Sequence, residues 1–272
     1  MKYPVRSFNF LLTCFSLVVL SSCEKVISLD LNEAEKRYVI EAVITDQPGT
    51  AKVQITQTKN FDEDNNFPGI SGANVTIAET GGAVFTLNET SAGVYEAPGL
   101  IALTGKVYNL SVSINGNTFT AACSMPVRVN LDTIFVTNEF LFTEFRNITN
   151  TEYKDPPGRG NAYRFIQYVN GLKEDQILIQ NDDYTDGRDI NTKLFYFSDD
   201  DDDNIIINSG DTVTVDMQCI DPVIYKYWFS LDRSSTGGSG QATPSNPVTN
   251  LQGGALGYFS AHTLQRKTMV VP

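Results

Sequence analysis

The sequence predicts an all-β protein: an N-terminal immunoglobulin- or prealbumin-like β-sandwich, followed by a second β-sandwich or barrel-like domain with one short helix. Three observations carry this expectation. Apolar and polar residues alternate at period two from Arg37 to Ser124, Gly, Pro, Asn and Asp interrupt the runs, and one later segment alone shows helical spacing. The first domain reads as seven strands, at Arg37–Thr45, Ala51–Thr58, Ala73–Ala78, Ala83–Leu87, Val94–Ala97, Lys106–Ile114 and Asn117–Ser124. In the sixth, Tyr108, Leu110, Val112 and Ile114 oppose Asn109, Ser111 and Ser113, as a half-buried antiparallel strand requires. Asn115-Gly116 then supplies the pair of positive-φ residues of a type I′ hairpin.

After Pro126 and the polar stretch around Asn130 the strands become longer and less regular, which sets a domain boundary at 128/129. Candidate strands follow at Thr133–Thr137, Leu141–Ile148, Ala162–Asn170, Gln176–Gln180, Lys193–Phe197, Asn204–Ile207, Thr212–Ile220, Leu256–Ser260 and Arg266–Val271. Within this series Asp221 caps a helix over Pro222–Arg233, with Pro at its first position and Val223, Ile224, Tyr227, Trp228 and Leu231 on one face. Trp228 reads as core packing of that helix on a sheet, with a carbohydrate-stacking platform as the alternative. Ser234 to Ser245 reads as a flexible Ser/Gly-rich loop.

The chain has 272 residues, 41% hydrophobic and 19% charged, which suits one or two packed domains and excludes a disordered chain. Twenty basic residues stand against 32 acidic ones, for a net charge of −12. Without Lys2 and Arg6 the balance is 18 − 32 = −14, so the basic footprint of a nucleic-acid partner is missing. A single histidine, His262, excludes His-rich zinc sites and leaves any Ser-His-Asp or Cys-His chemistry dependent on one imidazole. It reads as a surface or packing residue.

Lys2 and Arg6 precede an apolar stretch from Phe10 to Leu20, of 20 − 10 + 1 = 11 residues, which is short for a membrane span and right for a signal-peptide core. Leu20-Ser21-Ser22-Cys23 matches a bacterial lipobox, so the expected division is a signal peptide over 1–22, a lipidated tether over 23–36, and domains over 37–128 and 129–272. Acylated Cys23 would hold the chain to a bilayer, since each buried methylene contributes about 0.8 kcal/mol. Cys14 leaves with the leader, and Cys123 and Cys219 read as two unpaired, buried thiols without CxxC spacing.

The five consecutive carboxylates of Asp199–Asp203 invite a hard cation, and Asp199, Asp201 and Asp203 are a weak calcium candidate. Formal loop spacing is lacking: the sixth position is Asn204 where Gly is needed, and Gly210 stands where the bidentate Glu belongs. The run around Asp62, Asp64 and Asn66 fails likewise, with Phe67 at the sixth position. The chain carries no Gly-x-Ser-x-Gly elbow, phosphate loop or dinucleotide fingerprint, and nothing marks two carboxylates as facing each other across a cleft. The expectation is therefore no enzyme, no catalytic residues, no resident metal and no cofactor.

A wider set of motifs joins these features. Tyr38-Val39-Ile40-Glu41-Ala42, Ser71-Gly72-Ala73-Asn74-Val75, Gly93-Val94-Tyr95, Gly105-Lys106-Val107-Tyr108 and Leu131-Asp132-Thr133-Ile134 occur in that order. Tyr225-Lys226-Tyr227-Trp228, Asn246-Pro247-Val248-Thr249-Asn250 and Gly253-Gly254-Ala255-Leu256-Gly257-Tyr258-Phe259-Ser260-Ala261 follow. Together they resemble the Bacteroidota lipoprotein family catalogued as domain of unknown function 4249, over nearly all of the mature chain. The resemblance implies an outer-membrane lipoprotein facing the cell exterior, with a TonB-dependent transporter as partner and no established reaction. A structural or adhesive surface lipoprotein that works alone is the alternative. In that setting Asp132-Thr133-Ile134 and Asp211-Thr212-Val213 resemble the general O-glycosylation signal of Bacteroidota, which makes Thr133 and Thr212 candidate sites. The Gly-rich final motif has two readings, a tight turn into a strand or a docking surface.

Overall fold

The structure is a computed structural model that describes residues 35–60, 63–141, 144–196, 206–235 and 245–272. Strands β1 (Tyr38–Thr45), β2 (Lys52–Gln57), β3 (Asn74–Glu79), β4 (Val84–Ser91), β5 (Val94–Glu96), β6 (Val107–Ile114) and β7 (Asn117–Ser124) occupy the seven expected places. Period two decides their packing: Ile40, Ala42 and Ile44 of β1 meet Val75, Ile77, Leu110 and Val112 in one core. Asn115 and Gly116 have φ of 48° and 79°, the two positive values that the hairpin between β6 and β7 needs.

The second part contains β8 (Leu131–Leu141), β9 (Glu144–Lys154), β10 (Ala162–Val169), β11 (Leu172–Lys173), β12 (Leu178–Asn181), β13 (Asp189–Leu194), β14 (Thr212–Cys219), helix α1 (Pro222–Ser235) and β15 (Leu256–Val270). Among the described residues the protein is all-β with one helix, and its fold class is that of a β-sandwich. A three-stranded sheet, β13-β9-β8, packs on β10, β14 and the end of β15 around Tyr153, Phe165, Val215 and Met217. Asp221 caps α1 as expected: its Oδ1 accepts from Val223 N at 2.9 Å, and its Oδ2 accepts from Ser124 N at 2.9 Å.

Two expected strands merge. Leu256–Ser260 and Arg266–Val271 are parts of the single strand β15, which runs parallel to β1 over Leu256–His262 and antiparallel to β14 over Thr263–Val270. The path β11-β10-β14-β15-β1-β2-β5-β4-β3-β6-β7 is therefore one continuous sheet. The division at 128/129 is crossed by this strand: Leu251, Ala255, Phe259 and Ala261 belong to the first core although they follow all but the last strand of the second part. The β8–β9 hairpin also differs from expectation. Its strands reach Leu141 and begin again at Glu144, beyond the expected break after Thr137. Of the expected strand over Asn204–Ile207, Ile206 and Ile207 are described and are not in a strand.

The Gly-rich motif leads into β15, where backbone passes backbone. A Cβ on Gly257 would lie 2.1 Å from Ile40 O, and its φ is +98°. Gly254, at φ +92°, has open space in the Cβ direction. Gly257→Ala is expected to cost roughly 3 kcal/mol or more from clash plus strain, and Gly254→Ala only about 1 to 2 kcal/mol from strain. Urea unfolding of the two variants checks the order, and equal losses would contradict the close approach.

Candidate functional site

Strands β1, β15, β14 and β10 lie side by side, so their alternate residues share a face. One face feeds the two cores, through Ile44, Phe259, Ala261, Val215, Met217 and Phe165. The opposite face carries Thr45, Tyr258, Ser260, His262, Asp216, Gln218, Arg164, Ile166 and Tyr168, with Thr45 beside His262 and Arg164 beside Gln218 in register. Helix α1 covers the part of this face around Ala162 and Tyr258, with Ile224 and Tyr227 buried beneath it. Beside the helix lies a half-open cavity of about 340 Å³, to whose lining Gly49, Thr50, Lys52 and Glu96 also contribute.

Arg164 stands at the wall of the cavity. Its guanidinium lies 3.6 Å from the centroid of the Trp228 ring, and Trp228 is in turn set edge-on against Tyr258 at 5.2 Å. Nη1 donates to Gln218 Oε1 at 3.4 Å, while Nε is buried without an acceptor. Arg164 has no carboxylate partner among the described residues. Burial lowers its pKa below the ordinary arginine value, with the hydroxyl groups of Tyr258, Tyr168 and Tyr227 acting the other way. A desolvated cation on a Trp face gains up to ~2 kcal/mol, which offsets part of the desolvation. Asp216, by contrast, is matched: Arg266 Nε and Nη2 donate to its two oxygens at 2.6 and 2.7 Å.

His262 is buried in the same face, 2.9 Å from Ser260 Oγ through Nδ1. Burial first, and the Arg164 charge second, push its pKa down from 6.5 to about 3, with Asp46 acting weakly upward. The imidazole is therefore neutral at ordinary pH. No hydrogen bond from the ring to a carboxylate exists among the described residues, so the Ser260–His262 pair lacks the third group that orients a nucleophile's base.

The residues singled out from the sequence do not gather here. Cys23 and the calcium candidate Asp199, Asp201 and Asp203 lie outside the described residues. Thr133 sits near the start of β8 and Thr212 at the start of β14, both half-buried and far apart in sequence from the cavity's β15 residues. Cys123 and Cys219 are free and buried: Ala261 N donates to Cys123 Sγ at 3.2 Å and Val129 N to Cys219 Sγ at 3.4 Å. Burial pushes the Cys123 thiol up to about 12. Trp228 is helix packing, as read, and also the platform under Arg164. His262 is a buried histidine on the wall of the cavity.

Sequence reasoning missed a second cluster. Asp155, Asp182 and Asp186 bring carboxylate oxygens within 4.8 Å of one another. These oxygens are occupied by the protein itself. Asp155 accepts from Tyr163 OH and from Gly187 N at 3.0 Å, Asp182 from Gly160 N and Asn161 N at 2.9 Å, and Asp186 from Gly158 N at 2.7 Å. The cluster ties the turns at 155–161 and 182–187 together. The cavity draws on alternate residues of four strands and the Asp cluster on two turns far apart in the chain, so neither leaves a contiguous sequence motif.

An all-β frame of two sheets, with a cavity of mixed polar and apolar lining on one face, defines the class of protein. The family described as Domain of unknown function (DUF4249) matches residues 24–268, and the chain belongs to it. No curated protein matches the chain. Among solved structures, a two fibronectin type-III domain segment from chicken tenascin is similar at 14% identity, over 68% of this chain and 91% of that chain, with a TM-score of 0.22.

The low pKa of His262 sets a pH dependence. The unfolded chain takes up a proton near pH 6.5 and the folded chain does not until about pH 3, so stability present above pH 6.5 is lost as pH falls toward 3. From pH 7.5 to 5 the loss is about 2 kcal/mol, approaching roughly 1.36 kcal/mol per unit below pH 6. Glu89, Glu139 and Asp211, whose pKa values are lowered by hydrogen bonds, act only at lower pH. Urea unfolding at pH 7, 6 and 5 is expected to show this slope, and His262→Gln is expected to flatten it. An unchanged slope in the variant would assign the proton elsewhere.

Proposed function

We propose that this chain is a non-enzymatic outer-membrane lipoprotein, anchored through acylated Cys23 and facing the cell exterior, that captures a small solute for a TonB-dependent transporter. The observation that carries the capture reading is the cavity at Arg164. It presents a desolvated cation, an aromatic platform and neutral polar groups on a rigid sheet, and its His–Ser pair has no orienting carboxylate. Such a constellation suits binding more than bond-breaking. The anchor and the transporter rest on the lipobox and on the family resemblance, which is an argument by analogy.

One surface feature favours a second reading, a stand-alone adhesive lipoprotein. Phe140 and Phe145, both largely exposed, pair at 5.1 Å near the end of the β8–β9 hairpin. A tagged chain purified from native outer membranes in mild detergent separates the two. Capture predicts one large barrel protein in near-stoichiometric amount by mass spectrometry. Recovery of the chain alone, under conditions that keep known complexes intact, would favour adhesion.

A further inference from the structure

We propose that the cavity binds the carboxylate of a small, singly charged solute, with the Arg164 guanidinium as its ionic anchor. This rests on the capture reading and names the chemistry of the captured molecule. The charged side chains around the cavity are Lys52, Glu96, Arg164 and Asp216. Asp216 is neutralised by the two-pronged contact from Arg266. Lys52 is exposed and lies opposite Glu96 in register across β2 and β5, with no salt bridge between them among the described residues. Arg164 is left as the buried cation without a carboxylate among the described residues.

Its geometry selects the ligand group. A guanidinium has five N–H donors in a fixed plane, and here the Trp228 face covers that plane while, among the described residues, Nη1 alone meets an acceptor, at 3.4 Å. What remains is the edge of the fork, which matches a planar carboxylate. The charge count argues against a dianion such as phosphate. His262 is neutral and Lys52, the other cation of the lining, is exposed beside Glu96, so a second negative charge would find no desolvated partner.

The rest of the wall describes the body of the solute. Ser260, Thr45, Thr50 and Gln218 line it with hydroxyl and amide groups, although Thr45 and Thr50 bond each other at 2.6 Å and Ser260 bonds His262, and Ile166 and Tyr168 offer an apolar side. At about 340 Å³ the cavity lies at the small end of the roughly 300–1,000 Å³ range of ligand pockets. A short polar acid fits this description better than a peptide or an oligosaccharide.

Trp228 is the one tryptophan of the chain, so its fluorescence reports on the site without a label. The experiment titrates the full-length acylated chain in nanodiscs with acetate and D-glucuronate, and in parallel with D-glucose and inorganic phosphate, following Trp228 emission and calorimetric heat. A carboxylate probe is expected to bind, while glucose and phosphate do not compete with it. Arg164→Met is expected to weaken that binding roughly 10- to 100-fold, and Arg164→Lys about 10-fold, since the point charge survives and the planar fork does not. Without ligand, Arg164→Met is expected to unfold at a higher temperature than the parent, because a buried uncompensated charge has been replaced by an apolar chain of similar length. A purely structural arginine predicts the opposite shift.

Several outcomes overturn the inference: no Arg164-dependent carboxylate binding up to about 10 mM, phosphate binding as tightly, or unchanged binding in both variants. Should Arg164→Met fail to fold, Arg164→Lys decides the question by the same titration. Binding of glucose alone overturns the carboxylate and leaves solute capture standing. The transporter partnership is judged separately by co-purification.

Discussion

The structure depends on one strand having two partners. β15 hydrogen-bonds to β1 along its first half and to β14 along its second, and the change falls between His262 and Thr263. A parallel pair cannot be closed by a hairpin, so β1 waits for a strand that arrives after the whole of the second part. The changeover is pinned by charge. Asp46 Oδ1 accepts from Leu264 N at 2.9 Å, and Arg128 bonds both Asp46, with Nη2 at 2.7 Å from Oδ2, and Leu264 O at 3.0 Å. Long-range closure of this kind makes the two parts of the chain mutually dependent and the fold slow to form.

The cavity is a consequence of that pairing. Because β15 stays in plane as it changes partners, alternate residues from β1, β15, β14 and β10 are held on one face without a break. The opposite face is consumed by the two cores, which leaves this one to the helix and to polar side chains. Beside the helix, Arg164 is fixed by Trp228, Gln218 by its place beside Arg164 in the sheet, and His262 by Ser260. Gly257 is part of the same arrangement, since any side chain there would push β15 away from Ile40 of β1.

The first seven strands were legible because each buries one face only, and half-burial leaves alternation in the sequence. The turn at Asn115-Gly116 was legible because few residues tolerate positive φ twice in succession. β9 was harder: Thr149, Asn150 and Thr151 are fully buried although polar, so the strand ran on where polarity pointed to a turn. β15 was divided in two for a related reason. Its first half is buried on both faces and its second half on neither fully, which erases any single period.

The sequence alone determined the local chemistry: all-β class, the helix behind Asp221, the hairpin, two thiols with no CxxC partner, and the order of motifs that marks the family. These depend on near neighbours in the chain, where spacing carries the information. Tertiary structure decided the rest. That Arg164 meets Trp228, that Asp216 is spent on Arg266, and that His262 is buried neutral beside Ser260 follow from sheet register between strands dozens of residues apart. Register is set by pairing partners and not by spacing along the chain, so the cavity has no signature until the strands are laid side by side.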